Sequence, residues 1–326
     1  MNTEISKDEA AIYDRQIRLW GFDAQQRIGK ADILIAGMRA LSDEVCKNLA
    51  LAGVASITLL DHETVTEYDL GAQFFLTEAN IGQNKAQAAA SSIRNLNPRV
   101  QVIVDQQNIK EKTPEFFESF SVVCLIHSDY TLIAHIDEIR RRVKKPFYAA
   151  DVFGWFGYIF CDLIEHAYIQ EKKLNSPVDT KKATTVEKTA RVEIYSSLDE
   201  SLQKNWTDTR IKTIKRRTSP MTFLIHILLK FEKEYQRIPT KADEKLLLEN
   251  KSKYLSDMGI NDDSILDDNL ISEMVRLYDT ELSAVAAIVG GILAQDILRT
   301  LSAKELPIQN WFYYNGLDGS GLVHKI

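Results

Sequence analysis

Hydrophobic residues change their spacing twice between positions 31 and 61. An unbroken apolar run at 33–36 predicts a strand that is buried on both faces. A second apolar run at 57–60 predicts a neighbouring strand. Between the two runs, apolar residues recur at the spacing of a helix that lies on a sheet: Leu41, Val45, Leu49 and Ala52. The pattern therefore predicts a β-α-β unit.

Two residues give this unit the layout of a nucleotide site. Gly37 ends the first strand, and Asp61 follows the second strand 24 positions later. In a Rossmann-like site, a glycine-rich turn holds phosphates at the helix N-terminus and the acid accepts a hydrogen bond from a ribose hydroxyl. We therefore predict an α/β fold with a Rossmann-like, mostly parallel sheet flanked by helices.

The turn itself departs from the nucleotide-binding pattern. It reads Gly37-Met38-Arg39-Ala40-Leu41-Ser42, so only the first glycine of G-x-G-x-x-G is present. Arg39 puts a long side chain where bare backbone has to approach a phosphate. Asp43 adds a negative charge at the positive end of the helix dipole. The scaffold of a nucleotide site is thus predicted with a disabled phosphate cradle. The alternative is a β-α-β unit that never bound a nucleotide.

Strand and helix patterns alternate through the rest of the chain, as in a parallel sheet. We assign 1–170 and 191–326 to two parts of one adenylation-type domain. The polar stretch 171–190 lacks large apolar residues, which predicts a mobile insertion. Lys85 lies near the start of a helix predicted over 82–95, where lysines are usually solvated although a phosphate could also sit there. Gly290-Gly291, inside an apolar helix, suggests close packing against the sheet.

Composition excludes several classes of protein. A net charge of −6 over 326 residues argues against nucleic acid as the main partner. The longest apolar run, 284–294, is too short to span a bilayer, and the first residues lack the apolar segment of a signal peptide. Three isolated cysteines favour a reducing compartment and disfavour a zinc site. Cys46 and Cys124, inside apolar segments, are predicted to be core residues.

The N-terminal segment 9–28 has a helical pattern that contains YDRQIRLWG. Tyr13, Ile17 and Trp20 would form one apolar face, with the charged residues off that face. On spacing alone, the segment reads as a surface helix with an Asp14–Arg18 pair.

Several motifs then coincide in order and spacing. They are YDRQIRLWG at 13–21, LLDHETVT at 59–66, GQNKAQA at 82–88, NLNP at 95–98 and AAIVGGILAQDI at 286–297. With these motifs the chain resembles the adenylating enzymes that activate ubiquitin-like proteins, within the ubiquitin-activating and bacterial adenylyltransferase superfamily. Within that family it resembles the small, non-catalytic subunits of SUMO-activating enzymes.

The resemblance also marks what this chain lacks. Active members carry a loop close to N-L-N-R-Q-F whose second asparagine and arginine handle ATP phosphates. The matching stretch here is 69–74, with Gly71 and Ala72 at those two positions. The family's magnesium-binding aspartate aligns with Ser128, and Asp129 comes one residue late. The resemblance therefore implies a degenerate site at Gly37, Arg39, Asp61 and Lys85, with no cofactor and no metal bound by this chain.

The family relation also implies a function shared between two chains. A catalytic partner subunit would bind ATP and magnesium, adenylate SUMO and transfer it to its own cysteine. Arg15 matches the arginine that, in relatives, reaches across the dimer to the partner's ATP, so it is a candidate catalytic residue in trans. The resemblance also implies that the protein is located in the nucleus, with a cytoplasmic pool allowed. The basic cluster 212–217 is either a solvated face or a nuclear-import signal.

Three alternatives stay open at this stage. The chain could serve as the regulatory subunit for a ubiquitin-like protein other than SUMO. It could be a pure dimerisation scaffold with no residue in an active site. More distantly, it could be an NAD-dependent oxidoreductase, for which the Gly37 and Asp61 spacing is the only support.

Overall fold

The structure, a computed structural model, describes residues 6–174 and 185–326. Its strands fall into one large sheet and one two-stranded ribbon. In chain order the strands are β1 Asp32–Ala36, β2 Ser56–Leu60, β3 Gln101–Asp105, β4 Val122–Ile126, β5 Phe147–Phe153, β6 Phe156–Asp162, β7 Glu165–Leu174, β8 Thr185–Ile194, β9 Trp311–Asn315 and β10 Ser320–His324.

The large sheet has the strand order β10-β9-β6-β5-β4-β1-β2-β3. The five strands from β5 to β3 run parallel, and β6, β9 and β10 extend the sheet in antiparallel fashion. Both β2 and β4 are buried along their whole length, and the unbroken apolar sequence of β4 requires this. The prediction of an α/β fold with a mostly parallel sheet is confirmed.

Helices cover both faces of the sheet. Alternate residues of β1 point to opposite cores: Ile33 and Ile35 to one, Leu34 and Ala36 to the other. In chain order the helices are α1 Lys7–Ile12, α2 Asp14–Trp20, α3 Phe22–Ile28, α4 Ala40–Ala52, α5 Lys85–Leu96, α6 Pro114–Ser119, α7 Tyr130–Arg142, α8 Leu198–Leu202, α9 Ile211–Arg217, α10 Pro220–Tyr235, α11 Glu244–Asp257, α12 Asp268–Leu277 and α13 Ser283–Ser302.

The N-terminal segment is broken into three short helices, whereas its periodicity predicted one. Tyr13 separates α1 from α2, and Gly21 separates α2 from α3 with φ of 86°. Few residues other than glycine adopt that backbone region, so the helix cannot continue through position 21. The predicted Asp14–Arg18 ion pair is present at 2.8 Å.

Paired strands occupy both ends of the segment 171–190, for which composition predicted a mobile insertion. Residues 171–174 belong to β7 and 185–190 belong to β8, and the two strands pair antiparallel. The middle of the predicted insertion, 175–184, lies outside the described residues.

The glycine pair of α13 packs differently from the prediction. A Cβ on Gly290 would overlap the Glu44 side chain of α4 and approach the Leu41 carbonyl, so Gly290 allows close packing between two helices rather than against the sheet. Around Gly291 there is open space. Within the described chain, α13 is the one helix whose length and mean hydropathy of 1.5 would suit a membrane span. Half of that window is buried inside the protein, as in a core helix.

A buried carboxyl on α10 predicts how stability depends on pH. Glu232 is 2% exposed, and it accepts hydrogen bonds from the Tyr130 amide (2.8 Å) and the Tyr278 hydroxyl (3.0 Å). Burial outweighs these hydrogen bonds and raises the pKa of Glu232 to about 8. The unfolded chain releases this proton near pH 4.3, so the native state holds more protons between about pH 4.5 and 8 and loses stability as the pH rises.

We therefore expect Glu232→Gln to flatten the decline in unfolding free energy from pH 5.5 to 8. One such group contributes a slope of at most about 1.4 kcal/mol per pH unit. Urea denaturation at several pH values measures it. Glu234→Gln on the same helix is the control, because Lys253 and Tyr254 lower the pKa of Glu234, so this group titrates below that window. Equal slopes for wild type and Glu232→Gln would contradict the assignment.

Candidate functional site

A cleft lies at the carboxyl ends of β1, β2 and β4. Since β1 pairs with β2 on one side and with β4 on the other, the order of the parallel strands reverses there, which is where open α/β sheets bind ligands. The cleft measures about 250 Å³, below the roughly 300–1,000 Å³ typical of ligand pockets. Its polar lining includes Arg39, Asp61, His62, Glu63, Lys110, His127, Ser128 and Asp129.

Gly37 is required by the fold itself. Its φ is 92°, and a Cβ at this position would overlap the Ile126 carbonyl oxygen at the end of β4. The turn after β1 therefore needs glycine whether or not a nucleotide binds. This explains how the first glycine can be present without the later ones.

Asp61 binds the turn instead of standing free for a ribose. Its carboxylate accepts from the Met38 amide at 2.6 Å and from the Glu63 amide at 2.8 Å. Asp61 is 9% exposed, and its burial raises the pKa against the opposing effect of these two hydrogen bonds. The predicted ribose acid is thus occupied within its own chain.

The next two backbone donors at the start of α4 are occupied as well. The Arg39 amide donates to the Ser42 hydroxyl at 2.6 Å. The Ala40 amide donates to the Glu281 carboxylate at 3.0 Å. With Met38, three successive N–H groups that could have faced a phosphate are bonded to side-chain oxygens of this chain. Anions bind helix N-termini through such donors, and here the protein supplies its own.

The Arg39 side chain turns toward the loop before α13. Its guanidinium pairs with Asp279 at 3.1 Å and with Glu281 at 3.5 Å. Burial disfavours the charged form, but Glu281, Asp151 and Asp279 outweigh burial and raise the pKa of Arg39. Arg39 is therefore a fixed cation that is already neutralised by carboxylates.

Lys85 is buried, which corrects the expectation that a lysine at this position is solvated. It is the first residue of α5, and its ammonium lies 3.0 Å from both Glu63 and Asp69. Burial opposes the charge, but the two carboxylates outweigh it and raise the pKa of Lys85. Two negative charges thus hold the cation that would have met a phosphate.

The loop that replaces N-L-N-R-Q-F is anchored to α4. Asp43 is fully buried, and its carboxylate accepts from the Phe75 amide at 3.2 Å. Burial raises the pKa of Asp43 well above its ordinary value. Asp69, at the start of this loop, binds Lys85, while Gly71 and Ala72 present no polar side chain. The loop closes over the helix start without offering phosphate ligands.

Asp129, next to the position that aligns with the family's metal ligand, has a structural role. Asp129 caps α7, since its carboxylate accepts from the Leu132 amide at 2.9 Å, and Lys110 lies 3.5 Å from its other oxygen. Among residues 6–174 and 185–326, no group of three or more His, Cys, Asp or Glu side chains is arranged to hold a metal ion.

Sequence reasoning missed the acids that fill the site. Glu281 is 241 positions from Ala40, so no local pattern relates the two residues. Glu63 and Asp69 lie close in sequence to Asp61, but only the fold brings them to Lys85.

The structure brings Gly37, Arg39, Asp61 and Lys85 to one end of α4 and places Arg15 near the other end. Gln16, the neighbour of Arg15, donates to the Leu51 carbonyl in the last turn of α4 at 3.1 Å. A 13-residue helix is about 20 Å long, so Arg15 is remote from the cleft of its own chain. Arg15 is exposed, and the described part of the chain provides it with no hydrogen bond or ion pair.

Comparisons with known proteins identify the family of this chain. The chain matches the ThiF family over residues 13–325. It is 40% identical to SUMO-activating enzyme subunit 1 of Bos taurus, covering 98% of this chain and 95% of that protein. The Homo sapiens protein of the same name is 39% identical over the same shares, and the Danio rerio protein is 38% identical over 99% and 96%. A crystal structure of selenomethionine-labelled PaaA, 14% identical, has a TM-score of 0.59 over 100% of this chain and 76% of that chain, which shows the fold alone.

Proposed function

Because this chain belongs to the ThiF family and is a homologue of SUMO-activating enzyme subunit 1, we propose that it is the non-catalytic subunit of a heterodimeric SUMO-activating enzyme. In this proposal the catalytic partner binds ATP and magnesium and adenylates the C-terminal carboxylate of SUMO. Pyrophosphate leaves in the adenylation step, and AMP leaves when the acyl group passes to the thiolate of a partner cysteine. This chain binds no cofactor or metal of its own and completes the partner's site with Arg15.

One observation carries the proposal: the nucleotide cleft of this chain is filled by its own acids. Asp61 and Glu281 occupy backbone donors of the turn, and Glu63 and Asp69 hold Lys85. An ATP polyphosphate would meet these carboxylates instead of free donors, and their charges would repel it. A chain that keeps the fold and fills the site is suited to support catalysis in a partner.

The cysteines also favour a non-catalytic role. Cys46, Cys124 and Cys161 are fully buried, and burial raises the pKa of each thiol. A thioester-forming cysteine has to be an accessible thiolate. The acceptor of the activated ubiquitin-like protein therefore belongs to the partner.

An exposed apolar surface beside Arg15 supports an obligate partner. A cavity of about 470 Å³ lies between α2, α4 and α13, and its apolar lining includes Leu19, Leu51 and Leu298. Leu19 is 81% exposed. Exposed apolar surface of this kind marks protein interaction sites, so a subunit docked here would contact the helix that carries Arg15.

The remaining alternatives have less support. An oxidoreductase would need Asp61 free for a ribose, and Asp61 is bonded to the Met38 amide. A pure scaffold would make Arg15 dispensable, which kinetics can test. A role in activating another ubiquitin-like protein has less support, because the relatives reported above are all SUMO-activating enzyme subunit 1.

We place the complex in the nucleus, with a cytoplasmic pool allowed. The basic cluster forms α9, where Lys215 pairs with Asp262 at 2.8 Å while Lys212, Arg216 and Arg217 are exposed. This arrangement favours the reading of a solvated face, and an import signal in α9 is not needed for the proposal.

Reconstitution tests the function. The chain, mixed with the catalytic subunit of a SUMO-activating enzyme, is expected to form a one-to-one complex by light scattering. The complex should catalyse ATP–pyrophosphate exchange only when SUMO is present. The chain alone should show no exchange above a blank reaction. Exchange by the isolated chain, or failure to form the complex, would overturn the proposal.

A further inference from the structure

The last carbonyl groups of α4 accept hydrogen bonds from side-chain amides. Such carbonyls have no partner within a helix and usually bind water or a capping group. Three amides from three other segments bind three successive carbonyls: Asn97 binds Ala50 (2.8 Å), Gln16 binds Leu51 (3.1 Å) and Gln25 binds Ala52 (2.9 Å). We refer to Asn97, Gln16 and Gln25 as the amide clamp.

Tyr13 is fixed by the same clamp. It lies between α1 and α2 and is 6% exposed, and its hydroxyl accepts from the Asn97 amide at 2.9 Å. Its ring lies against Gly53, where any Cβ would overlap the ring carbon and hydroxyl. Gly53 ends α4 in the left-handed region with φ of 79°. The clamp and this glycine therefore seat Tyr13 in one position.

The far end of α2 is attached in the same way. The Trp20 indole donates to the Gln25 side-chain oxygen at 3.0 Å, while the nitrogen of the same amide binds the Ala52 carbonyl. A helix of seven residues has little stability alone, because helix nucleation costs more than so few hydrogen bonds return. The order of α2 thus comes from its attachment to α4.

Arg15 lies between these attachment points and is itself unattached. It is exposed, and within the described residues it has no ion pair, whereas Arg18, one turn later, pairs with Asp14 at 2.8 Å. A guanidinium makes paired hydrogen bonds to phosphate oxygens only in a defined orientation. A shift of about 1 Å in a catalytic group can cost about a hundred-fold in rate.

We propose that Tyr13 and the amide clamp are positioning residues that hold Arg15 in the orientation required by the partner's ATP. This inference rests on the proposed function, because it assumes that Arg15 acts in trans. It assigns Tyr13 and Gln16 of YDRQIRLWG and Asn97 of NLNP to one device. In this device the C-terminal end of α4 supports the segment 13–20, which carries Arg15. The N-terminal end of α4 is closed to nucleotide.

A double-mutant cycle in the reconstituted heterodimer tests the inference. Gln16→Met keeps the side-chain length and removes the donor to Leu51, and Asn97→Ala removes the donors to Ala50 and Tyr13. We expect the combined variant to slow pyrophosphate exchange at saturating ATP by about three- to thirty-fold. This loss is smaller than the roughly hundred-fold that a 1 Å shift of a catalytic group can cost. On an Arg15→Ala background, the same pair should cause no further loss. Hydrogen exchange of the α2 amides should be faster in the pair than in wild type, and Arg18→Ala, the control, should have at most a mild effect on the rate of pyrophosphate exchange.

The possible outcomes separate the two claims. If Arg15→Ala exchanges at the wild-type rate, the role of Arg15 in the proposed function fails and the clamp has nothing to position. If Arg15→Ala is slow but the clamp variants are as fast as wild type, only the positioning inference fails. An equal loss on both backgrounds would show a general structural effect and would also overturn the inference. Gln16→Met alone, at a part-exposed position, keeps the test available if Asn97→Ala does not assemble.

Discussion

Arg15→Ala is expected to slow SUMO-dependent ATP–pyrophosphate exchange by the heterodimer about ten- to a thousand-fold, below the largest effects of arginines supplied in trans. Adenylation builds negative charge on the departing pyrophosphate, and a guanidinium offers a planar fork of donors to its oxygens. Because Arg15 is exposed and has no hydrogen bond or ion pair within the described chain, the heterodimer should remain assembled with a nearly unchanged melting temperature.

Two variants sharpen this prediction. Arg15→Lys should restore only part of the rate, because an ammonium cannot make the paired contact. Arg18→Ala should have a mild effect, because Arg18 is an exposed partner of Asp14 and such pairs contribute little. A wild-type exchange rate for Arg15→Ala with an unchanged ATP requirement would reduce this subunit to a scaffold.

The second large effect concerns ATP itself. We expect the isolated chain to bind Mg-ATP more weakly than about 1 mM, at least a thousand-fold below a micromolar site, which corresponds to about 4 kcal/mol. Three backbone donors of the turn are bonded to Asp61, Ser42 and Glu281, and Lys85 is held by two carboxylates. Titration calorimetry measures the affinity.

A charge-removing variant is the matched control for that titration. Glu281→Gln together with Asp69→Asn removes two of the acids while keeping side-chain size. Binding should stay weak, since Gly71 and Ala72 still provide no phosphate ligand and Asp61 still occupies the Met38 amide. Micromolar binding by the wild-type chain would show that the cleft is a working site.

Local periodicity predicted the parts of the fold that depend on neighbouring residues. The strands β1 and β2 and the helix α4 appear where the apolar spacing changes. Periodicity could not predict the break at Tyr13, because Tyr13 is fixed by a hydrogen bond with Asn97, 84 positions away.

The site was predictable in its location but not in its state. Gly37, Arg39 and Asp61 marked the cleft from sequence, since a β-α-β unit places the turn and the acid at one sheet edge. The bonds that fill the cleft join distant segments, such as Arg39 to Asp279 and Ala40 to Glu281. The sequence predicts a disabled cradle, and the hydrogen bonds between its backbone donors and the chain's own acids support that prediction.

The number of nucleotides bound per heterodimer tests the central claim most directly. Equilibrium dialysis of the reconstituted complex against a non-hydrolysable ATP analogue and magnesium gives this number. Because the cleft of this chain is filled and the partner supplies the working site, we expect one nucleotide per heterodimer at saturation. Two nucleotides per heterodimer would contradict the account.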